Sequence, residues 1–165
     1  MKVRTAVSDD AAQIVEVMKD AEASNFMMYG PGEREMTAEQ FQRFIDVMNG
    51  KEHSELFVAV EEDKILGYLI MQGEVKPKRV SHRVSVAIGV HSESRGKGVG
   101  KSLFEFAHRW AKEKEIHRVE LTVISTNEQA YKLYEKMGYE TEGVKKHSLF
   151  IDGAYADEYY MAKLL

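Results

Sequence analysis

Apolar side chains recur along this chain in two rhythms. Val3, Thr5 and Val7 recur at every second position, the period of a strand. After Ser8 or Asp9, either able to cap a helix, the period lengthens. Ile14, Val17, Met18 and Ala21 then share one helical face. Asn25 to Gly32 ends in Gly30-Pro31-Gly32, a stop for any helix, and reads as a loop. Thr37 and Gln40 have capping-box spacing, with Met36 placed to staple against Phe41, so a second helix runs to about Met48. Leu56–Val60 and Ile65–Met71 are strands around an acidic turn. A basic loop, Lys76-Pro77-Lys78-Arg79, precedes a strand over Val84–Val90. Val99, Leu103, Phe106, Ala107, Trp110 and Ala111 restore the helical period up to about Lys114, and Val119–Val123 is again a strand. Asn127 caps a helix carrying Ala130, Tyr131, Leu133, Tyr134 and Met137, and Gly138 stands where a helix ends. Two closing strands flank Asp152-Gly153, a strong hairpin turn.

The predicted order is β-α-α-β-β-β-α-β-α-β-β, an α/β (α+β) arrangement around one central sheet. With 165 residues and no repeat or low-complexity tract, a single domain over 1–165 is expected. Net charge is −4, which gives no global reason to expect nucleic acid. The chain lacks cysteine, so disulfides, thiolate zinc sites and a cysteine nucleophile are excluded. No apolar run reaches membrane-spanning length, and MKVRTAVSDD has no apolar leader core; a cytoplasmic protein without a membrane partner is the expectation. The six histidines show no metal-ligand spacing, and no metal is expected.

The densest chemistry lies in Arg95-Gly96-Lys97-Gly98-Val99-Gly100-Lys101-Ser102. Its Gly-Lys-Ser end matches a nucleotide-triphosphate P-loop, but that motif needs a glycine five residues before Gly100, and Arg95 stands there. A dinucleotide fingerprint fails as well, because its third glycine would fall at Lys101. A ligand-free glycine turn is the bland alternative. Against it, closely spaced amides at a helix N-terminus, flanked by Arg95, Lys97 and Lys101, make an anion site suited to a pyrophosphate.

The segment from Ile88 through Lys101, with R-x-x-G-x-G after an apolar strand, resembles the acetyl-CoA-binding segment of the GNAT superfamily of N-acetyltransferases. A second stretch, Asn127-Glu128-Gln129-Ala130-Tyr131-Lys132-Leu133-Tyr134-Glu135-Lys136-Met137-Gly138-Tyr139, is similar to that family's N-x-x-A-x-x-L-Y-x-x-x-G-[FY] segment, one strand further on. The element order agrees over essentially the whole chain. The resemblance implies a mixed, largely antiparallel sheet whose fourth and fifth strands splay apart. It also implies a bacterial small-molecule or amino-acid type of enzyme that moves the acetyl group of acetyl-CoA, as cosubstrate, onto a primary amine.

The resemblance further implies residue roles. Ile88, Gly89 and Val90 would lie along the pantetheine arm, with the Val90 amide at the thioester oxygen. The backbone of Gly96, Lys97, Gly98, Val99, Gly100 and Lys101, introduced by Arg95, would take the pyrophosphate. Asn127 would contact cofactor, or simply cap its helix. Tyr134 aligns with the general-acid tyrosine, although Tyr131, three residues earlier, competes for a plain buried role. Glu120 is the candidate to relay the amine proton through water; a surface ion pair with Arg118 is the equal alternative. Segments 26–34 and 151–160 would wall the acceptor site, with Phe26, Met28, Tyr29 and Tyr155 as an apolar lining and Glu33, Arg34, Asp152, Asp157 and Glu158 reading charge. A protein N-terminus as acceptor, or a non-catalytic acyl-CoA sensor, remain as alternative functions. Dimerisation is common in the family, and nothing in the sequence marks an interface.

Overall fold

A computed structural model describes all of residues 1–165. One seven-stranded sheet runs through it. Its strands are β1 (Lys2–Thr5), β2 (Glu55–Glu61), β3 (Lys64–Gly73), β4 (Arg83–Val90), β5 (Arg118–Ile124), β6 (Glu140–Ile151) and β7 (Ala154–Leu164), in the spatial order β1-β2-β3-β4-β5-β7-β6. All neighbours are antiparallel except β4 and β5. The helices are α1 (Ala11–Glu22), α2 (Ala38–Asn49), α3 (Val99–Glu113) and α4 (Glu128–Lys136). The expected element order is therefore observed, and no helix is long and apolar enough to cross a membrane.

Each face of the sheet carries its own core. Leu103, Phe104, Ala107 and Ala111 of α3 repeat at three- and four-residue steps, and they bury against Phe57, Leu69, Val84, Val119 and Leu121 together with Tyr134 and Met137. Ile14, Val17 and Met18 of α1, with Phe41 and Ile45 of α2, cover the opposite face over Leu56, Val58, Ile65 and Tyr68. Strand alternation divides β4 accordingly. Val84 is buried on the α3 face, with Val86, Ile88 and Val90 packed against that core, so Ser85, Ala87 and Gly89 face α1 and α2.

The local signals set most boundaries. Thr37 and Gln40 exchange both capping-box bonds, at 3.1 and 3.0 Å. Gly138 ends α4 with φ +91°, and Asp152 and Gly153 turn the last hairpin with φ +51° and +80°. The start of α1 differs from expectation. Neither Ser8 nor Asp9 caps it; Asp10 occupies that position, accepts the Val7 amide at 2.8 Å and grips the Arg4 guanidinium at 2.7 and 2.9 Å. Ser8 instead donates to Asp46 of α2 at 2.7 Å. A charge-assisted pair reaching across from β1 outcompetes a simple local cap.

Behind Tyr134, a buried cluster joins α3 to the segment following α4. His108 Nε2 lies 2.9 Å from the Tyr139 hydroxyl, and Phe104 packs edge-on against both Tyr134 and Tyr139. Burial, with Lys163 and Lys112 nearby, pulls His108 down from the ordinary 6.5 to about 4. The unfolded chain therefore binds a proton that the folded one refuses. This contribution is complete above pH 6.5 and is lost as the pH falls toward 4, about 2 kcal/mol of it by pH 5. Chemical denaturation at pH 7.5 and 5 is expected to show this loss in the native chain and a smaller one in His108→Gln. Equal losses would place the acid sensitivity elsewhere.

Candidate active site

The pairing of β4 with β5 is short. Arg83, Val84 and Ser85 face Arg118, Val119 and Glu120, and there the ladder ends. Beyond it β4 stays on β3 as far as Val90↔Gly67, while β5 follows β7 as far as Ile124↔Glu158. The two strands thus enclose an open wedge. The His91 amide donates to Leu66 on β3 at 2.9 Å. Since amides alternate along a strand, those of Val90 and Ile88 point the other way, into the wedge. No protein carbonyl meets them there.

The glycine loop stands at the mouth of this wedge. Gly96 and Gly98 have φ of +73° and +83°, a region that side chains with a Cβ enter only at a cost, and a Cβ on either would meet nothing within 4 Å. Gly100 serves a different end, because a Cβ there would come within 2.8 Å of Leu133 on α4. The amides of residues 96 through 101 have no backbone or side-chain acceptor; the first bond into α3 is Ser102 to the Gly98 carbonyl, at 3.0 Å. Six consecutive free amides at the positive end of a 15-residue helix form an anion cradle. That donor set fits a pyrophosphate, and Lys97 and Lys101 are exposed beside it.

Arg95 does not reach outward. Its Nε donates to the Val90 carbonyl at 3.3 Å, and its guanidinium lies 3.8 Å from Asp20. Asp20, in the last turns of α1, accepts the Ser92 amide at 2.6 Å and the Ser92 hydroxyl at 2.8 Å. Burial alone would raise the Asp20 carboxyl, yet the Ser92 bonds, His91 and Arg95 together hold it below the usual range. Asp20 thereby braces the head of the glycine loop against α1, a role the sequence did not reveal. Losing hydrogen bonds worth about 1 kcal/mol should weaken cofactor capture roughly 3- to 10-fold. Asp20→Ala is accordingly expected to raise KM for acetyl-CoA by that factor with kcat within about twofold, as read by steady-state kinetics. A fall in kcat at unchanged KM would refute the brace.

Tyr134 projects from α4 into the core below the wedge and is 8 % exposed. Its hydroxyl makes no hydrogen bond to protein and is not sealed from solvent. Burial raises the phenol to about 12. Tyr131, the competing tyrosine, is ruled out of that position: its hydroxyl pairs with Thr141 at 2.9 Å on the surface, and its ring packs on Tyr159. Asn127 caps α4, its Oδ1 accepting the Ala130 amide at 3.2 Å. Glu120 lies at the closed end of the wedge, opposite Ser85. Its carboxylate receives Arg118 Nε at 2.8 Å and stands 3.9 Å from Arg83, and Arg118 also holds Glu142. This is the ion-pair arrangement that the sequence left open as the alternative to a proton relay.

On the other side of the sheet, Asn25 Nδ2 donates to Asp152 Oδ2 at 2.9 Å, joining the α1–α2 loop to the β6–β7 turn. This bond sits one residue before the 26–34 segment expected to wall an acceptor, and on the first residues of the 151–160 segment. Phe26, Met28, Tyr29 and Tyr155 are exposed on them. Tyr68 of β3 was not singled out by sequence; its ring covers Gly89, where a Cβ would stand 2.5–2.8 Å from ring and hydroxyl. A surface concavity of about 630 Å³, bordered by Glu105, Arg109, Lys112 and Lys163, includes none of the wedge residues.

Comparison with known proteins agrees with this geometry. The model of the acetyltransferase (GNAT) family matches residues 15–139. An Escherichia coli L-amino acid N-acetyltransferase, AaaT, is 34 % identical over 111 residues, covering 65 % of this chain and 66 % of that protein. The matched stretches span 66 % and 40 % of the lengths of the curated relatives. A Streptococcus pneumoniae GNAT-family acetyltransferase superposes with a TM-score of 0.92 at 27 % identity, over 99 % of this chain and 98 % of that one. A Sinorhizobium meliloti phosphinothricin acetyltransferase, solved in complex with AcCoA, gives 0.88 at 20 % identity, over 99 % and 88 %. The splayed strands, the free amides of the glycine loop and the family match lead to one assignment: this chain belongs to the GNAT acetyltransferase family.

Proposed function

We propose that this protein transfers the acetyl group of acetyl-CoA to the primary amine of a small metabolite, by direct attack of the amine on the thioester. The observation that carries this reading is the run of free amides at residues 96–101 beside a wedge into which the Ile88 and Val90 amides point. Acetyl-CoA supplies the activated acyl group; the protein supplies position, electrostatics and a proton donor. The 96–101 amides and the dipole of α3 hold the pyrophosphate. The Ile88–Val90 backbone lines up the pantetheine arm as a strand would, and the Val90 amide donates to the carbonyl oxygen as negative charge builds there. Arg95 acts through its bond to Val90, keeping that end of β4 fixed.

Tyr134 faces the leaving sulfur. A phenol raised to about 12 keeps its proton throughout the neutral range. Outright transfer to a thiolate of ordinary pKa, about 8.5, would be uphill by roughly 5 kcal/mol, so Tyr134 works chiefly by donating a hydrogen bond as the sulfur takes up charge. The proton balance closes with the one the amine gives up when it becomes an amide, which leaves through water and converts the thiolate to the free thiol. Glu120, engaged with Arg118, is given no part in that path.

A thiol-release assay with acetyl-CoA tests the reading across amino acids, polyamines, aminoglycosides and peptides. Release that depends on a small primary amine is the expected result. Release only with peptides would move the acceptor to a protein N-terminus. CoA binding without release on any acceptor would make the chain a sensor.

A further inference from the structure

The two walls of the acceptor side contain several charged side chains, and the structure accounts for nearly all of them. Glu33 Oε2 accepts the Gly30 amide at 2.7 Å. Asp152 is held by Asn25, and Asp157 accepts the His147 amide at 2.8 Å. Glu158 faces Lys145 at 3.6 Å. Arg34 remains, and it is the one cation in segments 26–34 and 151–160.

Arg34 is placed with care but bonded to little. Its guanidinium carbon lies over the Tyr29 ring, 4.1 Å from the centroid. Its Nε comes within 2.9 Å of Glu22 Oε1, yet neither atom makes an aligned hydrogen bond and both are shut off from water. Glu22 is 2 % exposed and is the sole acid within ion-pair distance of Arg34. A buried carboxylate that fixes one edge of a guanidinium leaves the opposite fork of terminal nitrogens available, and that fork matches the two oxygens of a carboxylate. The position suits the reaction as well. Glu22 ends α1 and Arg34 lies in the loop that follows, while Tyr68, close enough to feel both charges, covers Gly89 on the β4 edge of the wedge.

Resting on the acetyl-transfer reading above, we infer that Arg34, oriented by Glu22 and Tyr29, receives the carboxylate of the acceptor, so that the substrate class is a primary amine carrying a nearby carboxylate, as an amino acid does. Glu22 and Tyr29 are positioning residues in this scheme. A small acceptor held at its carboxylate by Arg34 would turn its amine toward the Ala87–Gly89 face of β4.

The test compares kcat/KM for matched acceptors that differ only at the carboxylate: an amino acid, its amide and the decarboxylated amine. The native enzyme is expected to favour the acid about 10- to 100-fold, the worth of a charge-assisted pair. In Arg34→Gln that preference should collapse to within about threefold, and Arg34→Lys should restore part of it. Since Arg34→Gln strands a buried carboxylate, the double variant Glu22→Gln/Arg34→Gln is measured alongside, with thermal melting to establish folding. The same collapse is expected there. A native enzyme indifferent to the carboxylate, or an acid-to-amide ratio unchanged in both variants, overturns the assignment while leaving acetyl transfer intact. No thiol release with any amine despite CoA binding removes the transfer reading and this inference together.

Discussion

Tyr134→Phe is expected to lower kcat by about 10²-fold while leaving acetyl-CoA affinity within about twofold. The reasoning rests on what the hydroxyl does and does not touch. It has no protein hydrogen-bond partner, so its removal strands no donor or acceptor and leaves the packing of the ring on Phe104 in place. Stability should change by less than about 1 kcal/mol. In the proposed mechanism, what disappears is the hydrogen-bond donor to the departing sulfur. That loss acts on the transition state, where charge on sulfur is greatest, and hardly on the bound ground state. Steady-state kinetics, calorimetry with CoA and a denaturation curve together check the account. A parallel drop in turnover, affinity and stability would make Tyr134 a packing residue of the α3–α4 interface.

Gly98→Val is expected to remove measurable CoA binding. At φ +83° a β-branched residue is strained by about 1–3 kcal/mol, so the loop would relax away from the conformation that aligns its amides. A Cβ there would meet no protein atom within 4 Å, so the cost lies in the backbone and not in a clash. Gly100→Ala provides the contrast. Its Cβ would press on Leu133, the far end of a flexible side chain, so it should disturb helix packing more than the cradle. Calorimetric titration with CoA separates the two variants. Normal CoA affinity in Gly98→Val would place the cofactor elsewhere, and ATP–Mg binding by the native chain without CoA binding would restore the nucleotide loop that Arg95 argued against.

Much of this was legible in the chain because short-range chemistry set it. Alternation against three- and four-residue spacing gave the strands and helices, and Thr37/Gln40, Asn127, Gly138 and Asp152-Gly153 fixed their ends through bonds and φ values that depend on a few neighbouring residues. Gly96 to Lys101 could be read because an anion cradle is made of consecutive backbone. The parts that escaped are contacts across sequence. Asp20 meets Ser92 over 72 residues, and Tyr68 meets Gly89 through strand register. Glu22 belongs to no motif that would single it out. It does, however, continue the Ala11–Val15–Met18 stripe at the same spacing, and an acid on a buried stripe is itself a signal. The fate of Glu120 could not be read from sequence either, since its neighbour Arg118 binds it along one strand while Glu142, a distant residue, shares the same guanidinium.

The most direct test of the central claim follows an isotopically labelled acetyl group from acetyl-CoA in the presence of a carboxylate-bearing primary amine, measuring label in the amide and free CoA thiol in the same samples. Direct transfer in the wedge predicts that the two appear in equal amounts, that both require the amine, and that both fall together in Tyr134→Phe. Label accumulating on the protein without amine, or CoA bound tightly while no amide forms, would contradict it.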